Sequence, residues 1–379
     1  MMLKTCLTVA FCIAATSVAA QIRVGITLST TGPAASLGIP EKNTVALYPE
    51  TIGGQKIEYV VMDDATDTTA ARRNTEKFVA DGVDVIIGSS TSPGTLAMIE
   101  VAAKSRTPVI SLAAAVRLVW PMDDQKRWIF KMPYNDSIIA EAAVLHMVKT
   151  GIKTLGHIGF NDAYGESWYL ELAKYAEKHG VKIVVSEKYN PKDTSVTAQA
   201  LKIIAANPDA VMTVGSGTPA VLPQATLLER GYKGKFYQTS GVINNEFLRV
   251  GGKSVEGTLL PSGPVIVVDE LPESHPARNP SLDYKKRYEA VHGPGTITTF
   301  GGNAWDAILV LQKAIPDALK AAKPGTVEFR SALRDAIESI KGLPATHGAI
   351  NMTASDHNGF SADAPVIITI RNGKWALAR

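Results

Sequence analysis

The chain has 379 residues, of which 45% are hydrophobic and 20% are charged, and its formal net charge is +3. This composition is typical of a globular protein with roughly two domains of about 100–200 residues each. The small net charge and the lack of a long basic run exclude nucleic acid as an expected partner.

The first twenty residues have the pattern of a secretory signal peptide, with cleavage expected after Ala19 or Ala20. A short positive start, MMLK, is followed by an apolar run and then by the small residues SVAA. The apolar run is too short to span a membrane comfortably. Both cysteines, Cys6 and Cys12, lie inside this segment. We therefore expect an exported mature chain that has no disulfides and no thiolate metal ligands.

Apolar, β-branched segments alternate with helical patterns along the first part of the chain. The pattern predicts strands at Ile22–Ser29, Lys56–Asp64, Val83–Ser90 and Pro108–Ala113. A helix is predicted to begin at Ser92 and Pro93, because serine is a favoured cap and proline fits the first turn. This alternation predicts a parallel sheet that is covered by helices on both faces.

The same alternation starts again in the second part of the chain. It predicts strands at Thr154–Phe160, Lys182–Tyr189, Ala210–Ser216 and Lys235–Ser240. Near the end of the chain, Asn372-Gly373 between two apolar runs predicts a β-hairpin. We therefore expect an α/β fold with two Rossmann-like lobes, each with a parallel sheet. In open α/β folds, ligands bind outside the carboxyl ends of the strands.

Motifs for catalysis and for cofactor binding are weak or incomplete. The stretch Gly215–Ala220 matches G-x-G-x-x-G/A, but no acidic residue follows about 20 positions later at the end of the next strand. Asp63, Asp64 and Asp67 together could bind Mg²⁺ or Ca²⁺, although a solvated turn with a capping residue is favoured. Histidines at metal-ligand spacing and a G-x-S-x-G motif are both absent from the sequence. We expect neither an enzyme nor a cofactor or metal.

Several stretches match a known family in their order and spacing. They are Gly25–Gly38, Met62–Asp67, Gly88–Gly94, Thr107–Ala115, Phe160–Glu166, Glu229–Gly234, Val255–Pro261 and Asn303–Ala307. With these stretches the chain resembles the type I periplasmic solute-binding proteins of ABC transporters. Within that class it is most similar to the branched-chain amino acid (leucine/isoleucine/valine) binding family, including the members that bind aromatic acids.

The resemblance implies a periplasmic protein whose two lobes are joined by a three-strand hinge and close on a ligand like a Venus flytrap. The closed protein would deliver its ligand to a permease in the inner membrane. The implied crossings lie near Tyr134–Ser137, Thr258–Gly263 and Leu343–Thr346. Lobe one would then comprise residues 21–135 and 265–342, and lobe two residues 136–264 and 343–379. We expect a monomer, as is usual in the family.

The resemblance also implies where the ligand's carboxylate binds. The hydroxyl of Ser92 and the backbone N–H groups of the alanine turn at 113–115 would bind it. Amino acid binders of the family hold the α-ammonium with an acidic residue, and this position falls on Ser240 in the present sequence. Their neighbouring threonine falls on Ala115 or Val116. Because an unpaired ammonium is costly to bury, we expect a carboxylate ligand without an amine, such as a benzoate or a cinnamate.

The candidate ligand-binding residues comprise hydroxyl-bearing, small and aromatic positions on both lobes. They are Ser92, Pro93, Ala113, Ala114, Ala115, Tyr164, Ser216, Gly217, Thr218 and Ser240. Small alanines leave room for a flat ligand, Tyr164 would stack on it or hydrogen-bond to it, and the hydroxyls of lobe two would bond a distal polar group. Two alternatives stay open. One is a branched-chain amino acid binder in which Glu246 or Glu166 lines the cleft, and the other is an amide- or urea-binding relative.

Overall fold

The computed structural model describes residues 21–378, so the predicted signal peptide lies outside the described residues. The first sheet has six strands in the order β2-β3-β1-β4-β5-β6. These strands are β1 (Ile22–Leu28), β2 (Thr51–Ile52), β3 (Gln55–Asp63), β4 (Val85–Gly88), β5 (Val109–Ser111) and β6 (Ile129–Lys131). All neighbouring pairs are parallel except β2 and β3, which form a hairpin.

The second sheet has seven strands in the order β15-β14-β11-β10-β9-β7-β8. They are β7 (Thr154–Phe160), β8 (Lys182–Tyr189), β9 (Ala210–Val214), β10 (Lys235–Gln238), β11 (Leu259–Ser262), β14 (Val366–Arg371) and β15 (Lys374–Leu377). Strands β7 to β11 pair in parallel, and the antiparallel β14 and β15 extend the edge at β11. Asn372 and Gly373, with φ of 53° and 68°, form the tight turn of the predicted hairpin.

Helices cover both sheets, as the parallel strands require. Those of the first half are α1 (Ala35–Val45), α2 (Thr68–Ala80), α3 (Ser92–Ser105), α4 (Asp136–Lys149) and α5 (Ala163–Lys178). Those of the second half are α6 (Thr197–Ala206), α7 (Val221–Glu229), α8 (Asn245–Gly251), α9 (Arg278–His292), α10 (Thr299–Ala321) and α11 (Val327–Glu338). Over residues 21–378, each helix is too short or too polar to cross a membrane.

The core lies where apolar strands meet these helices. Every residue of β4 and of β9 is buried, which is why both strands read as continuous apolar runs in the sequence. The predicted strand Val83–Ser90 ends earlier, at Gly88. The reason is that the N–H of Ser29, just after β1, donates to the side-chain oxygen Ser90 Oγ (3.0 Å). This bond takes the place of the next backbone hydrogen bond between the two strands. The mixed α/β fold class with two mostly parallel sheets is confirmed.

The chain crosses between the two sheets more than once. We call the elements around the first sheet lobe one and those around the second sheet lobe two. The chain leaves lobe one after β6 and returns to it after β11. The return is shown by α10, which packs against α1 and β2 of lobe one. A small hairpin of β12 (Leu343–Ala345) and β13 (Gly348–Ile350) follows.

Residues 357 and 358, which follow the predicted third crossing at Leu343–Thr346, are hydrogen-bonded to lobe one. The N–H of Lys131 in β6 donates to His357 O (3.1 Å), and Asn358 Nδ2 donates to Lys131 O (3.1 Å). This segment is therefore still attached to lobe one, whereas β14 at Val366 belongs to lobe two. We propose that the third crossing falls between Asn358 and Val366, and we keep the two earlier boundaries as predicted.

Candidate functional site

A cavity of about 290 Å³ lies between the two lobes. Most of the segments that line it directly follow a strand, including those after β4, β5, β7, β8, β9 and β10. The carboxyl ends of both parallel sheets therefore point to the same cleft, which is where ligands bind in open α/β folds.

Most of the residues that the sequence analysis predicted to bind ligand line the cavity. They are Ser92, Pro93, Ala113, Ala114, Tyr164, Ser216 and Ser240. Ala115, Gly217 and Thr218 do not line it. Ala115 is fully buried and donates its N–H to Ser92 Oγ (3.2 Å), so it supports the cavity wall from behind. Thr218 begins a short 3-10 helix, Thr218–Ala220, beside the cavity.

Gly217 lies where the two lobes touch. Its φ is +62°, and a Cβ at this position would be 2.8 Å from Ser36 Oγ and 3.3 Å from Pro33 O. Ser36 and Pro33 belong to lobe one, whereas Gly217 follows β9 of lobe two. Gly217 therefore allows a close approach of the lobes, and the sequence-based expectation that it contacts ligand finds no support in the lining of the cavity.

The start of helix α3 forms a polar end of the cavity. The cap is Thr91, whose Oγ1 accepts the N–H of Gly94 (3.3 Å), and not Ser92 as the sequence suggested. Because Thr91 has the extended backbone that a cap needs, the Ser92 hydroxyl is left free of the helix. Ser92 Oγ accepts the N–H of Ala115, so its hydrogen is available to a group in the cavity. A helix N-terminus with a free hydroxyl suits an anion.

The buried carboxylate of Asp64 fixes the loop that leads from β4 to Ser92. Asp64 accepts the hydroxyls of Ser29 and Ser89, both at 2.6 Å, and the N–H of Thr66 (3.1 Å). Asp67 caps helix α2 through the N–H of Ala70 (2.7 Å). The aspartates of this region therefore have structural partners, and residues 21–378 contain no group of three or more acidic, histidine or cysteine side chains placed to hold a metal.

Much of the remaining cavity lining is apolar or aromatic. It includes Leu37, Leu112, Phe160, Tyr164 and Phe300. The Tyr164 hydroxyl donates to Thr239 Oγ1 (2.8 Å), and burial raises the pKa of Tyr164, so its ring stays neutral. Of the two roles expected for Tyr164, stacking is compatible with this bond, since the hydroxyl already has a partner.

Asp162 lines the cavity, although the sequence interpretation did not include it. It caps helix α5, because its Oδ1 accepts the N–H groups of Tyr164 (2.9 Å) and Gly165 (3.0 Å). Burial raises the pKa of the Asp162 carboxyl, and the two N–H groups oppose that rise. An aspartate between the end of a strand and the start of a helix was the available signal. The exposed Lys192 after β8 also lines the cavity.

The two glutamates that would have supported an amino acid ligand lie outside the cavity lining. Glu246 is exposed and pairs with Arg249 (2.6 Å) on its own helix. Glu166 is exposed and pairs with Arg117 (2.7 Å) of lobe one. Neither carboxylate is therefore placed to receive a ligand ammonium.

The hinge side of the cavity is a hydrogen-bonded network of buried groups. His347 Nδ1 lies 2.8 Å from Asp306 Oδ2, and His347 Nε2 lies 2.9 Å from Thr299 Oγ1. The hydroxyl of Tyr134 donates to the carbonyl of His347. These residues are far apart in the sequence, so no local motif could have identified them.

Comparison with known proteins agrees with this geometry. A family model described as periplasmic binding protein matches residues 21–369. The chain belongs to the periplasmic binding protein family. It is a solute-binding protein of this family, and several of its curated relatives are named as Leu/Ile/Val-binding proteins.

Individual relatives cover almost the whole of this solute-binding protein. It is 27% identical to the Leu/Ile/Val-binding protein homolog 1 of Brucella suis biovar 1 (strain 1330), over 87% of this chain and 90% of the relative. It is 46% identical to an extracellular ligand-binding receptor from Rhodopseudomonas palustris HaA2, with a TM-score of 0.92 over 95% of this chain and all of the other. A Rhodopseudomonas palustris solute-binding protein in complex with benzoate shares the fold, with 20% identity and a TM-score of 0.80 over 94% and 95% of the two chains.

Proposed function

We propose that this protein captures a small monocarboxylate, an aromatic acid of the benzoate or cinnamate type, between its lobes. It acts in the periplasm as a monomer and delivers the ligand to an ABC permease of the inner membrane. The observation that carries the proposal is the Ser92 hydroxyl at the N-terminus of α3, which lines the cavity with its hydrogen free. A carboxylate there gains a charge-assisted hydrogen bond and the favourable end of a helix dipole.

The shape and polarity of the cavity support a flat, apolar ligand body. Phe160, Tyr164 and Phe300 offer aromatic surface, and Ala113 and Ala114 leave space beside them. Offset-stacked or edge-to-face contacts between such rings and an aromatic ligand add about 0.5–1.5 kcal/mol beyond area burial. The hydroxyls of Ser216 and Ser240, on the far lobe, are available to a distal phenol or carbonyl group.

The position that would hold an α-ammonium is the serine Ser240, which lines the cavity but carries no charge. A ligand ammonium beside Ser240 would be desolvated without a counter-ion, at a cost of several kcal/mol. This argument disfavours an amino acid and supports an acid without an amine.

A branched-chain amino acid is the second candidate ligand, and Asp162 is the observation that favours it. Only Oδ1 of Asp162 is used in capping α5, so Oδ2 remains for a ligand ammonium. Against this candidate, burial raises the pKa of Asp162 and so disfavours the charged form that an ammonium needs. A neutral amide or urea is the third candidate, and it would bind without any requirement for ligand charge.

The experiment that tests the proposal is thermal unfolding in the presence of a ligand panel. The protein is first unfolded and refolded to remove any copurified ligand, and then melted with benzoate, cinnamate, leucine, isoleucine, acetamide and urea. A ligand at a hundred times its Kd stabilises the native state by about 2.7 kcal/mol. The proposal expects higher Tm values with the aromatic acids alone. A shift with leucine alone would support the second candidate, and a shift with the amides alone the third.

A further inference from the structure

A buried acid lies directly behind the proposed carboxylate site. Glu41, in helix α1, is fully buried, and its Oε2 is hydrogen-bonded to the hydroxyl of Ser90. Its other oxygen, Oε1, is buried without a hydrogen-bond partner in the described part of the chain. Ser90 lines the cavity two residues before Ser92, so Glu41 is one side chain removed from the ligand.

The hydrogen bonds of Ser90 depend on whether Glu41 carries a proton. A serine hydroxyl has one hydrogen to donate and two lone pairs that accept. Ser90 Oγ already accepts the N–H of Ser29 (3.0 Å). An ionised Glu41 can only accept, and it would therefore take the single hydrogen of Ser90. A protonated Glu41 donates to Ser90 instead, which fills the second lone pair and frees the Ser90 hydrogen for the cavity.

The charges around Glu41 favour the protonated form when an anion is bound. Burial raises the pKa of Glu41 well above its ordinary range, and the nearby charge of Asp64 raises it further, whereas the bond from Ser90 opposes the rise. The other titratable groups on this side are Tyr48 just after α1, Tyr59 on β3, Tyr284 on α9 and Asp306 on α10. None of them carries a positive charge that would compensate an ionised Glu41. A ligand carboxylate adds a further negative charge.

We infer that Glu41 is a positioning residue that binds a proton together with the ligand's carboxylate, so that Ser90 joins Ser92 as a donor to it. The inference rests on the proposed function, because it requires a carboxylate ligand. On binding, the protein takes up one ligand anion and one proton from the solvent. The proton stays on Glu41 Oε2 and forms a hydrogen bond to Ser90 Oγ. No proton is passed to the ligand itself.

The test is a calorimetric titration of the protein with cinnamate between pH 5.5 and pH 9, in buffers of different ionisation enthalpy. Cinnamic acid is a carboxylic acid with a pKa of about 4, so the ligand stays anionic throughout. Above the pKa of Glu41 in the free protein, we expect uptake of about one proton per ligand and a Kd that rises about tenfold per pH unit. Glu41→Gln, whose amide donates to Ser90 as the protonated acid does, should retain the low-pH affinity without this pH dependence.

The control variant is Glu100→Gln, which changes an exposed glutamate on helix α3 and should keep the wild-type pH profile. A Kd that does not vary with pH, with no proton uptake, would overturn the role of Glu41 and leave the proposed function standing. The same is true if the pH dependence persists in Glu41→Gln, since another cavity group such as Asp162 would then be the one that titrates. If Glu41→Gln does not fold, the proton uptake of the wild-type protein still tests the inference, because its absence would overturn the role of Glu41. If cinnamate and benzoate bind at no pH, the proposed function itself fails.

Discussion

Arg117 Nη1 lies 2.7 Å from Glu166 Oε2, and the two residues belong to different lobes. Arg117 is in a short 3-10 helix after β5, and Glu166 is in the first turn of α5 after β7. Ala114 and Tyr164, which line the cavity, are their near neighbours in sequence. The ion pair therefore bridges the edge of the cleft and is available only when the lobes are together.

The first prediction is that Arg117→Ala weakens ligand binding by up to about fivefold, because an exposed pair contributes about 0.2–1 kcal/mol. Titration calorimetry measures the loss, which should shrink in high salt. Arg72→Ala, which breaks exposed ion pairs within lobe one, is the matched control and should leave affinity unchanged. The exchange Arg117→Glu with Glu166→Arg should restore affinity. Equal effects of the Arg117 and Arg72 variants would contradict a bridging role.

The second prediction concerns Gly217, where a Cβ would meet Ser36 of the other lobe. Gly217→Ala should lower ligand affinity, because the added methyl obstructs closure. Gly231→Ala is the control, since Gly231 also has a positive φ (+88°) but no atom within 4 Å of its added Cβ. Both variants should lose about 1 kcal/mol of folding stability from backbone strain, and only the first should lose affinity.

Small-angle scattering separates these effects further. With saturating ligand, the wild-type protein and Gly231→Ala should reach the same compact radius of gyration, and Gly217→Ala should remain larger. A Gly217→Ala protein that binds and compacts like the wild type would show that this contact does not limit closure.

The elements of this fold were largely predictable, because their signals are local. The strands Thr154–Phe160 and Lys182–Tyr189 have their predicted bounds, and the first is a mostly buried run that ends at the polar Asn161. Ser92 was correctly placed at the start of a helix, but its role as cap was wrong. Thr91 and Ser92 are both good caps by residue type, and only the backbone conformation decides between them.

The rest of the site could not be predicted because it depends on how distant segments meet. Gly217 was predicted to be a ligand contact from its position after β9, and no signal in the sequence indicated the approach of Ser36. Glu41 lies within a helix of mixed polarity, and nothing local indicates that both of its oxygens become buried. Asp162 was visible as a helix cap, but its place in the cavity follows from the closed lobes.

The third prediction is that Ser92→Ala lowers the affinity for an aromatic acid by about 10- to 100-fold, since a hydrogen bond to a charged group contributes about 1.5–3 kcal/mol. Its Tm without ligand should also fall, because the buried N–H of Ala115 loses its acceptor at a cost of about 1–3 kcal/mol. Thr326→Ala is the contrasting variant, because Thr326 caps helix α11 through the N–H of Phe329 (3.1 Å), outside the cavity lining. It should cost about 1 kcal/mol of stability and no affinity. Unchanged binding by Ser92→Ala would refute the placement of the carboxylate.

The fourth prediction uses Asp162→Asn to separate the two main ligand classes. The asparagine oxygen can still cap helix α5, so the fold should be kept. Binding of cinnamate should be unchanged or slightly tighter, because a negative charge has been removed near an anion. If the cavity instead bound leucine through its ammonium, the same variant would lose that affinity by a factor of a hundred or more.

The fifth prediction concerns folding stability in acid. His157, in β7, is buried, and burial lowers its pKa to about 3. The unfolded chain binds a proton at His157 near pH 6.5, whereas the folded chain does so only near pH 3. This contribution to stability is therefore complete above pH 6.5 and is lost as the pH falls toward 3. Between pH 7 and pH 4, urea unfolding should show a larger loss for the wild type than for His157→Gln, and equal losses would contradict the assignment.

We propose that the cleft selects a carboxylate that has no amine. The most direct measurement is calorimetric titration of the refolded, ligand-free protein with cinnamate, with its uncharged isostere cinnamamide and with leucine. We predict saturable binding of cinnamate at one site, binding of cinnamamide at least about tenfold weaker because the charged hydrogen bond is lost, and no binding of leucine. Tight binding of leucine with none of cinnamate would contradict this selectivity and would favour Asp162 as the partner of a ligand ammonium.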